Sequence, residues 1–356
     1  MQVWAFLISI LLPVLAMAQA TPAGSLFESA EPLQITLKYD ITKLQAKKEL
    51  LREEGLSGTL QIDDKALDVT VMARGKGSFR CKQPQLKIGF NKATTSGTAF
   101  DGYKKIKLFT QGRCLENKTD EETDKKILAN YLIYKLYEQV FPRHFKTRLV
   151  HISYTDISGK VKPYKQLAFF MEPEKNVEAR LQLKKLEDDD LRSLDQQLPS
   201  LTDADDVSLM NAFQFFIGNF DYGIPGFYSH IQQGIYPVEK NVQLYRDANG
   251  VLHPLAYDWD FSRLNYAGSA CGISIRFFAD GAMNADCSVE ELKFTYADDF
   301  VAFRYQDDVY MHVRGLMESF KKWRAANKAT IETLGSMYSE QLDAFEQAFL
   351  PAILEK

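Results

Sequence analysis

The sequence predicts an α+β fold, with an N-terminal antiparallel sheet that carries one long helix and a mainly helical half after it. Three observations support this. Short alternating segments separated by turns fill the first half, which is typical of strands. Residues 120–140 place their apolar side chains on one wide helical face. From about residue 298 to 350, aromatic and aliphatic residues recur at helical spacing.

The first half begins with a strand at residues 32–39, after which Asp40 can cap a helix over residues 41–54 that ends at Gly55. A tight turn, Arg74-Gly-Lys-Gly-Ser, separates two later strands. The remaining strands are predicted at residues 58–63, 67–74, 85–90, 104–110, 147–156 and 164–171.

The second half opens with an acidic stretch, residues 187–206, that is typical of a solvated connector. A buried helix is predicted over residues 209–217, where the sequence becomes strongly apolar. A hairpin then joins residues 241–246 to 251–257 across Asp247-Ala-Asn-Gly.

The N-terminus reads as a cleavable secretory signal. Residues 4–15 are apolar and uncharged, but this run is shorter than the roughly 20 residues that span a bilayer. Small residues follow, so cleavage is expected after Ala18 or Ala20. The sequence therefore predicts a signal peptide at residues 1–20 and a periplasmic or secreted protein without a transmembrane anchor. Two lobes are predicted to follow, at residues 21–172 and 173–356.

Charge and cysteine content narrow the class of protein. The net charge of −4 argues against a general nucleic-acid surface, which needs a basic excess. An even number of cysteines in an exported chain favours disulfides. Of three connectivities, the spacing favours Cys81–Cys114 and Cys271–Cys287. It does not favour zinc, whose ligand cysteines usually come in closely spaced pairs.

Three acids lie in apolar surroundings, where a carboxylate is costly unless it is paired or bound to a cation. Asp221 follows the buried helix, and Asp258 and Asp260 follow the hairpin. On an extended chain, residues two apart point the same way, so Asp258 and Asp260 could share one ion. With Asn241 they form an oxygen-rich set that suits Mg²⁺, Mn²⁺ or Ca²⁺. Helix capping and turn formation are the structural alternative.

These motifs carry a resemblance to the CotH kinase-like family, and more closely to its exported bacterial branch. The matching blocks run in order from about residue 32 to 345. They are Arg74-Gly-Lys…Cys81…Pro84…Leu86-Lys-Ile-Gly-Phe, Lys105-Ile-Lys-Leu…Cys114, Leu128-Ala-Asn-Tyr-Leu-Ile-Tyr-Lys-Leu-Tyr, Phe213-Gln-Phe-Phe-Ile-Gly-Asn-Phe-Asp-Tyr and Pro254-Leu-Ala-Tyr-Asp-Trp-Asp-Phe-Ser.

The resemblance implies a divergent two-lobe protein-kinase-like fold and phosphoryl transfer from ATP to an exported protein or surface component. Asp221 takes the place of the catalytic acid. Asp258 takes the place of the metal-binding acid, with Asp260 and Asn241 as further ligands. Lys105 or Lys107 would supply a cation to the nucleotide, and Arg74 and Lys76 would contact phosphates.

One position departs from the family. Asn130 stands where the branch has the helix Glu that pairs with the nucleotide lysine, and Glu122 or Glu138 would have to replace it. The departure favours a second hypothesis, a non-catalytic binding or assembly protein that keeps its acids for Ca²⁺ or a partner. Transfer of another nucleotide moiety, such as adenylyl, is a third. His230 and His253 flank the motifs but are more typical of structural positions.

Overall fold

A computed structural model describes residues 26–75, 77–110, 120–217, 219, 222–226, 241–260, 262, 264–265, 309–336, 338–340, 342–343 and 346. The predicted signal peptide and five of the predicted site residues lie outside this range: Lys76, Cys114, Asp221, Cys271 and Cys287. In the described part of the chain, no helix is long and apolar enough to span a bilayer.

The N-terminal half is a closed barrel of mixed strand direction. Around the barrel the strands follow the order β1-β2-β3-β4-β5-β7-β6, and β6 returns to β1. The strands are Leu33–Tyr39 (β1), Leu56–Ile62 (β2), Lys65–Arg74 (β3), Gln85–Phe90 (β4), Lys105–Phe109 (β5), Thr147–Asp156 (β6) and Tyr164–Met171 (β7).

The pair of strands that closes the barrel, β1 and β6, is parallel, and this gives the barrel its mixed strand direction. β1 runs parallel to β6, from Leu33 opposite Val150 to Tyr39 opposite Asp156, whereas the other neighbouring strands are antiparallel. The predicted two-lobe kinase-like fold with an antiparallel sheet is therefore wrong. The sheet has no open edge, because β1 bonds a neighbour on each side, and helices and a small separate sheet follow the barrel.

Helices dominate the rest of the described chain. They are Ile41–Ala46 (α1), Lys92–Thr95 (α2), Asp120–Val140 (α3), Glu174–Leu181 (α4), Asp188–Leu194 (α5), Leu198–Leu201 (α6), Ala204–Phe216 (α7), Val309–Ala326 (α8) and Lys328–Thr333 (α9). A three-stranded sheet has the order β10-β9-β8, built from Lys184–Lys185 (β8), Val242–Arg246 (β9) and Leu252–Ala256 (β10).

Two predicted segments differ from the structure. The Asp40 side chain caps α1 by accepting the Lys43 amide at 2.7 Å, but the helix ends at Ala46 and only a short 3₁₀ turn follows. There the Lys48 ammonium turns to the Phe79 carbonyl at 3.1 Å, a tertiary contact that the sequence pattern does not show. The expected connector at residues 187–206 contains α5, a 3₁₀ turn, α6 and the first turn of α7, and α6 buries Leu198.

The side chains of the barrel strands divide between two hydrophobic cores, because successive residues of a strand face opposite sides. On β5 and β7, Leu108 and Phe170 face the barrel interior, whereas Phe109 and Phe169 face outward. The outward residues join a larger core with α3, α7, α8 and the small sheet. Helix α3 thus lies between the barrel wall and the C-terminal elements.

Candidate functional site

The described members of the predicted site come from two places. Arg74 ends β3, and Lys105 and Lys107 lie on the neighbouring part of the barrel, in β5. Asn241 immediately precedes β9, and Asp258 and Asp260 follow β10. The electrostatic contacts described next bring the barrel and hairpin residues together.

Asn241 and Asp258 share an uncommon backbone conformation at the open end of the β9–β10 hairpin. Their φ angles are +57° and +65°, in the left-handed region. The Tyr257 amide donates to the Asn241 carbonyl at 2.9 Å and holds the two chain segments side by side. For residues other than glycine this region costs about 1 kcal/mol and is kept only where the surroundings enforce it, which is common at binding sites.

The left-handed turn at Asp258 changes the expected geometry of the two acids. Because β10 ends at Ala256, Asp258 and Asp260 do not lie on an extended strand, and strand alternation does not align their carboxylates. Both acids nevertheless act on one group: burial raises the pKa of the Tyr134 hydroxyl most, and the negative charges of Asp258 and Asp260 each raise it further. The acids are therefore within electrostatic reach of the same phenol.

Arg74 brings a positive charge to this place. Its guanidinium stacks on the Phe109 ring at 4.2 Å, and its Nε donates to the Leu86 carbonyl at 3.0 Å. Burial lowers the pKa of Arg74 to about 10, while the nearby Asp258 carboxylate opposes this shift. Nη2 is buried and has no hydrogen-bond partner among the described residues. A guanidinium with a free donor is suited to receive an anionic oxygen.

Lys107 has a carboxylate partner that the sequence did not indicate. Its ammonium lies 3.1 Å from Oε1 of Glu174, the first residue of α4, and Lys185 lies 3.3 Å from Oε2. Gln243 of β9 also donates to Glu174, at 3.2 Å. Burial alone would raise the pKa of Glu174, but Lys107 and Lys185 outweigh it and hold the pKa at about 2. Glu174 thus connects the barrel to the small sheet.

The carboxylate beside Lys107 comes from Glu174 of α4, whereas Asn130 of α3 is neutral. Asn130 is buried in α3, and its Oδ1 has no hydrogen-bond partner among the described residues. Glu138 binds Lys135 at 2.9 Å and the Thr147 hydroxyl at 3.1 Å. Sequence reasoning missed Glu174 because its approach to Lys107 depends on the antiparallel pairing of β5 with β7, where Lys107 is opposite Met171.

Lys105 is exposed on the same strand. Cys81 is buried and disulfide-bonded, and its partner lies outside the described residues, so the pairing with Cys114 stays a prediction.

A second polar cluster joins α7 to the hairpin. Asp203, Asp206 and His253 place ligand-type atoms within 4.8 Å of one another. Several of these atoms already have partners: Asp206 accepts from Arg143 at 2.9 Å and lies 2.7 Å from His253 Nδ1, and Asp203 accepts the Asp206 amide at 2.9 Å. His253 Nε2 is buried and has no hydrogen-bond partner among the described residues. A cation bound here would have to replace Arg143 and break the hydrogen bond between Asp206 and His253. We interpret the cluster as a structural link between α7 and β10.

Comparison with known proteins does not extend the resemblance. No protein-family model matches the sequence, and no curated protein matches it.

Proposed function

We propose that this chain is a phosphotransferase that uses ATP with Mg²⁺ or Mn²⁺ and acts on an exported protein or surface component. The observation that carries the proposal is the buried Nη2 of Arg74, which has no hydrogen-bond partner among the residues that the structure describes and lies in the electrostatic field of Asp258. A site for a metal-bound polyphosphate needs this combination, because acids hold the cation while a fixed cation receives the phosphate oxygens. The proposal does not require a kinase fold.

The residues divide into three roles. Asp258, with Asp260 and Asn241, would hold the divalent cation, which neutralises phosphate charge when it is bound. Arg74 and Lys107 would orient phosphate oxygens, and the basic turn at Lys76 and the exposed Lys105 would add positive charge. Asp221 would accept the proton of the acceptor hydroxyl as the γ-phosphoryl group passes to that oxygen, leaving ADP.

The Lys107–Glu174 ion pair supports catalysis over simple binding. A lysine that contacts phosphate needs a carboxylate to hold its flexible side chain, and Glu174 meets Lys107 at 3.1 Å. The neutral Asn130 is the observation that favours the second candidate, a non-catalytic protein that binds Ca²⁺ or a partner through the same acids.

The first test is nucleotide-dependent stabilisation. ATP with Mn²⁺ at about a hundred times its Kd should stabilise the folded protein by about 2.7 kcal/mol and raise Tm by roughly 5 °C or more. Asp258→Asn should abolish this rise and still fold, because asparagine tolerates the left-handed backbone. Asp68→Asn, an exposed site on β3, is the matched control and should keep the full rise.

Radiolabelled ATP then separates the candidate reactions. Transfer of label from the γ position to a protein acceptor supports the phosphotransferase, and transfer from the α position points to adenylylation instead. Stabilisation by Ca²⁺ without transfer of label would support the binding protein. No change in Tm at millimolar nucleotide with either Mg²⁺ or Mn²⁺ would refute the proposed function.

A further inference from the structure

Two tyrosines one turn apart on α3 bind the backbone that leads into the acidic motif. The Tyr137 hydroxyl accepts the Ala256 amide at 3.2 Å, and the Tyr134 hydroxyl accepts the Asp258 amide at 3.0 Å. Tyr134, Tyr137 and Ala256 lie in the same hydrophobic core, and Asp258 follows two residues after Ala256. The helix therefore sets the path of the chain where β10 ends.

Trp259 packs against the same two tyrosines and so fixes the same segment. Its side chain is fully buried, with ring centroids 4.4 Å from Tyr134 and 4.8 Å from Tyr137. Aromatic pairs at such distances contribute about 0.5–1.5 kcal/mol beyond the burial of their surface. Trp259 thus anchors the chain between Asp258 and Asp260. This anchoring keeps the Asp258 amide close to the Tyr134 hydroxyl that accepts it.

We propose that Tyr134 is a positioning residue, whose hydroxyl holds Asp258 in its left-handed conformation and thereby sets the affinity of the site for a divalent cation. The inference rests on the proposed function. Its physical basis is the Asp258 amide, which would lose a buried acceptor if the hydroxyl were absent. Asp258 could then relax towards the favoured right-handed region and turn its carboxylate away from the site.

The Tyr134 hydroxyl uses its oxygen and its proton in two different contacts. The oxygen accepts the Asp258 amide at 3.0 Å. Its own proton points to the Met171 sulfur, 3.9 Å away.

Tyr137 provides a matched control for the experiment. Tyr134→Phe and Tyr137→Phe each remove one hydroxyl from the same helix, and each leaves one backbone amide of the same segment without its acceptor. The two amides differ in their side chains: Tyr134 accepts the amide of Asp258, which carries a carboxylate, and Tyr137 accepts the amide of Ala256, which does not. If both hydroxyls had only a structural role, the two variants would have the same Mn²⁺ affinity as well as the same Tm.

The experiment measures Mn²⁺ binding by the electron paramagnetic resonance signal of the free ion, with Tm measured in parallel. We expect Mn²⁺ to bind Tyr134→Phe about 5–20-fold more weakly than wild type, a loss of about 1–2 kcal/mol, as for one hydrogen bond that orients a charged ligand. Tyr137→Phe should change the affinity less than twofold. Both variants should lose similar amounts of Tm.

Equal Mn²⁺ affinities in the two variants would overturn the positioning role and leave the proposed function intact. A wild-type protein that binds no Mn²⁺, with or without ATP, would overturn both. If Tyr134→Phe does not fold, hydrogen exchange at the Asp258 amide of the wild type decides the matter. Slow exchange supports the inference, and exchange as fast as in an unstructured peptide overturns it.

Discussion

At the scale of single residues, the Asp156 carboxylate connects the end of β6 to the start of α1 through several hydrogen bonds. It accepts the Ile41 and Lys160 amides at 2.9 Å each and the Ser158 hydroxyl at 2.6 Å, so it joins the end of β6 to the start of α1. Burial opposes its ionisation, but these hydrogen bonds outweigh it and hold the pKa of Asp156 at about 2. The ionised form is thus the one that stabilises the fold.

Replacing Asp156 with Asn should lower Tm by roughly 5–10 °C at pH 7, because an amide cannot accept all of these hydrogen bonds and leaving buried donors unsatisfied costs about 1–3 kcal/mol each. The folded pKa is depressed to about 2, so this stability is present above the unfolded pKa of about 4 and is lost as pH falls from there to about 2. Thermal melts across pH 2–7 test this.

In those melts the Tm difference between wild type and Asp156→Asn should therefore shrink as the solution is acidified. Asp68→Asn, on the exposed face of β3, should change Tm little at any pH. A Tm difference for Asp156→Asn that stays constant down to pH 2 would contradict the assignment.

Sequence reasoning could single out some site residues but not others. Arg74, Asp258 and Asp260 are noticeable because charged groups stand next to apolar strands, where they need a partner or a ligand. Glu174 and Tyr134 are not noticeable in the same way. A glutamate at a helix start and a tyrosine on a buried helix face are both ordinary, and their contacts depend on tertiary packing.

At the scale of elements, the sequence predicts most strands and helices well. The bounds of β4, α3, β6 and β7 agree with the prediction, because their apolar periodicity and turn residues are local signals. The closure of the barrel could not be predicted in this way. It depends on the pairing of β1 with β6, and the two strands are too far apart in sequence for any local pattern to specify their register.

Hydrogen exchange can test the closure of the barrel. If the sheet were open between β1 and β6, β1 would be an edge strand, and alternate amides would exchange quickly. In the barrel, β1 bonds β2 on one side and β6 on the other, so all of its amides from Ile35 to Tyr39 should be protected. β4, which has a neighbour on each side, is the internal reference.

We expect the β1 amides to exchange as slowly as those of β4, measured by mass spectrometry or NMR. Alternate β1 amides that exchange much faster than the β4 amides would show that the barrel is open in solution.

At the scale of the whole molecule, α3 belongs to both halves. Its residues pack on Phe169 of the barrel wall and on Trp323 of α8, whose indole nitrogen donates to the Leu132 carbonyl at 2.8 Å. The larger core continues from the barrel wall through α3 to the C-terminal helices. The two halves therefore share one buried helix, and neither half covers it alone.

A fragment of residues 26–172 should consequently fail to fold cooperatively. Without α7 and α8, the apolar face of α3 that includes Leu132, Leu136 and Tyr137 would be exposed to water. We expect the fragment to bind a hydrophobic dye and to melt without a sharp transition, whereas residues 26–356 should melt cooperatively. A sharp melt of the fragment, near the Tm of the longer chain, would show that the barrel and α3 fold independently.

The parallel closure of the barrel also has a consequence for the time course of folding. Ile35 must pair with Ile152, which lies more than a hundred residues further along the chain. Forming so long a loop costs entropy, and no contact between the two strands offsets this cost until they pair. Contacts of this separation slow folding from the microsecond range of local structures towards roughly milliseconds to seconds. During that interval β1 and β6 each present an unpaired edge, so the newly made chain is most prone to aggregation before its first and sixth strands meet.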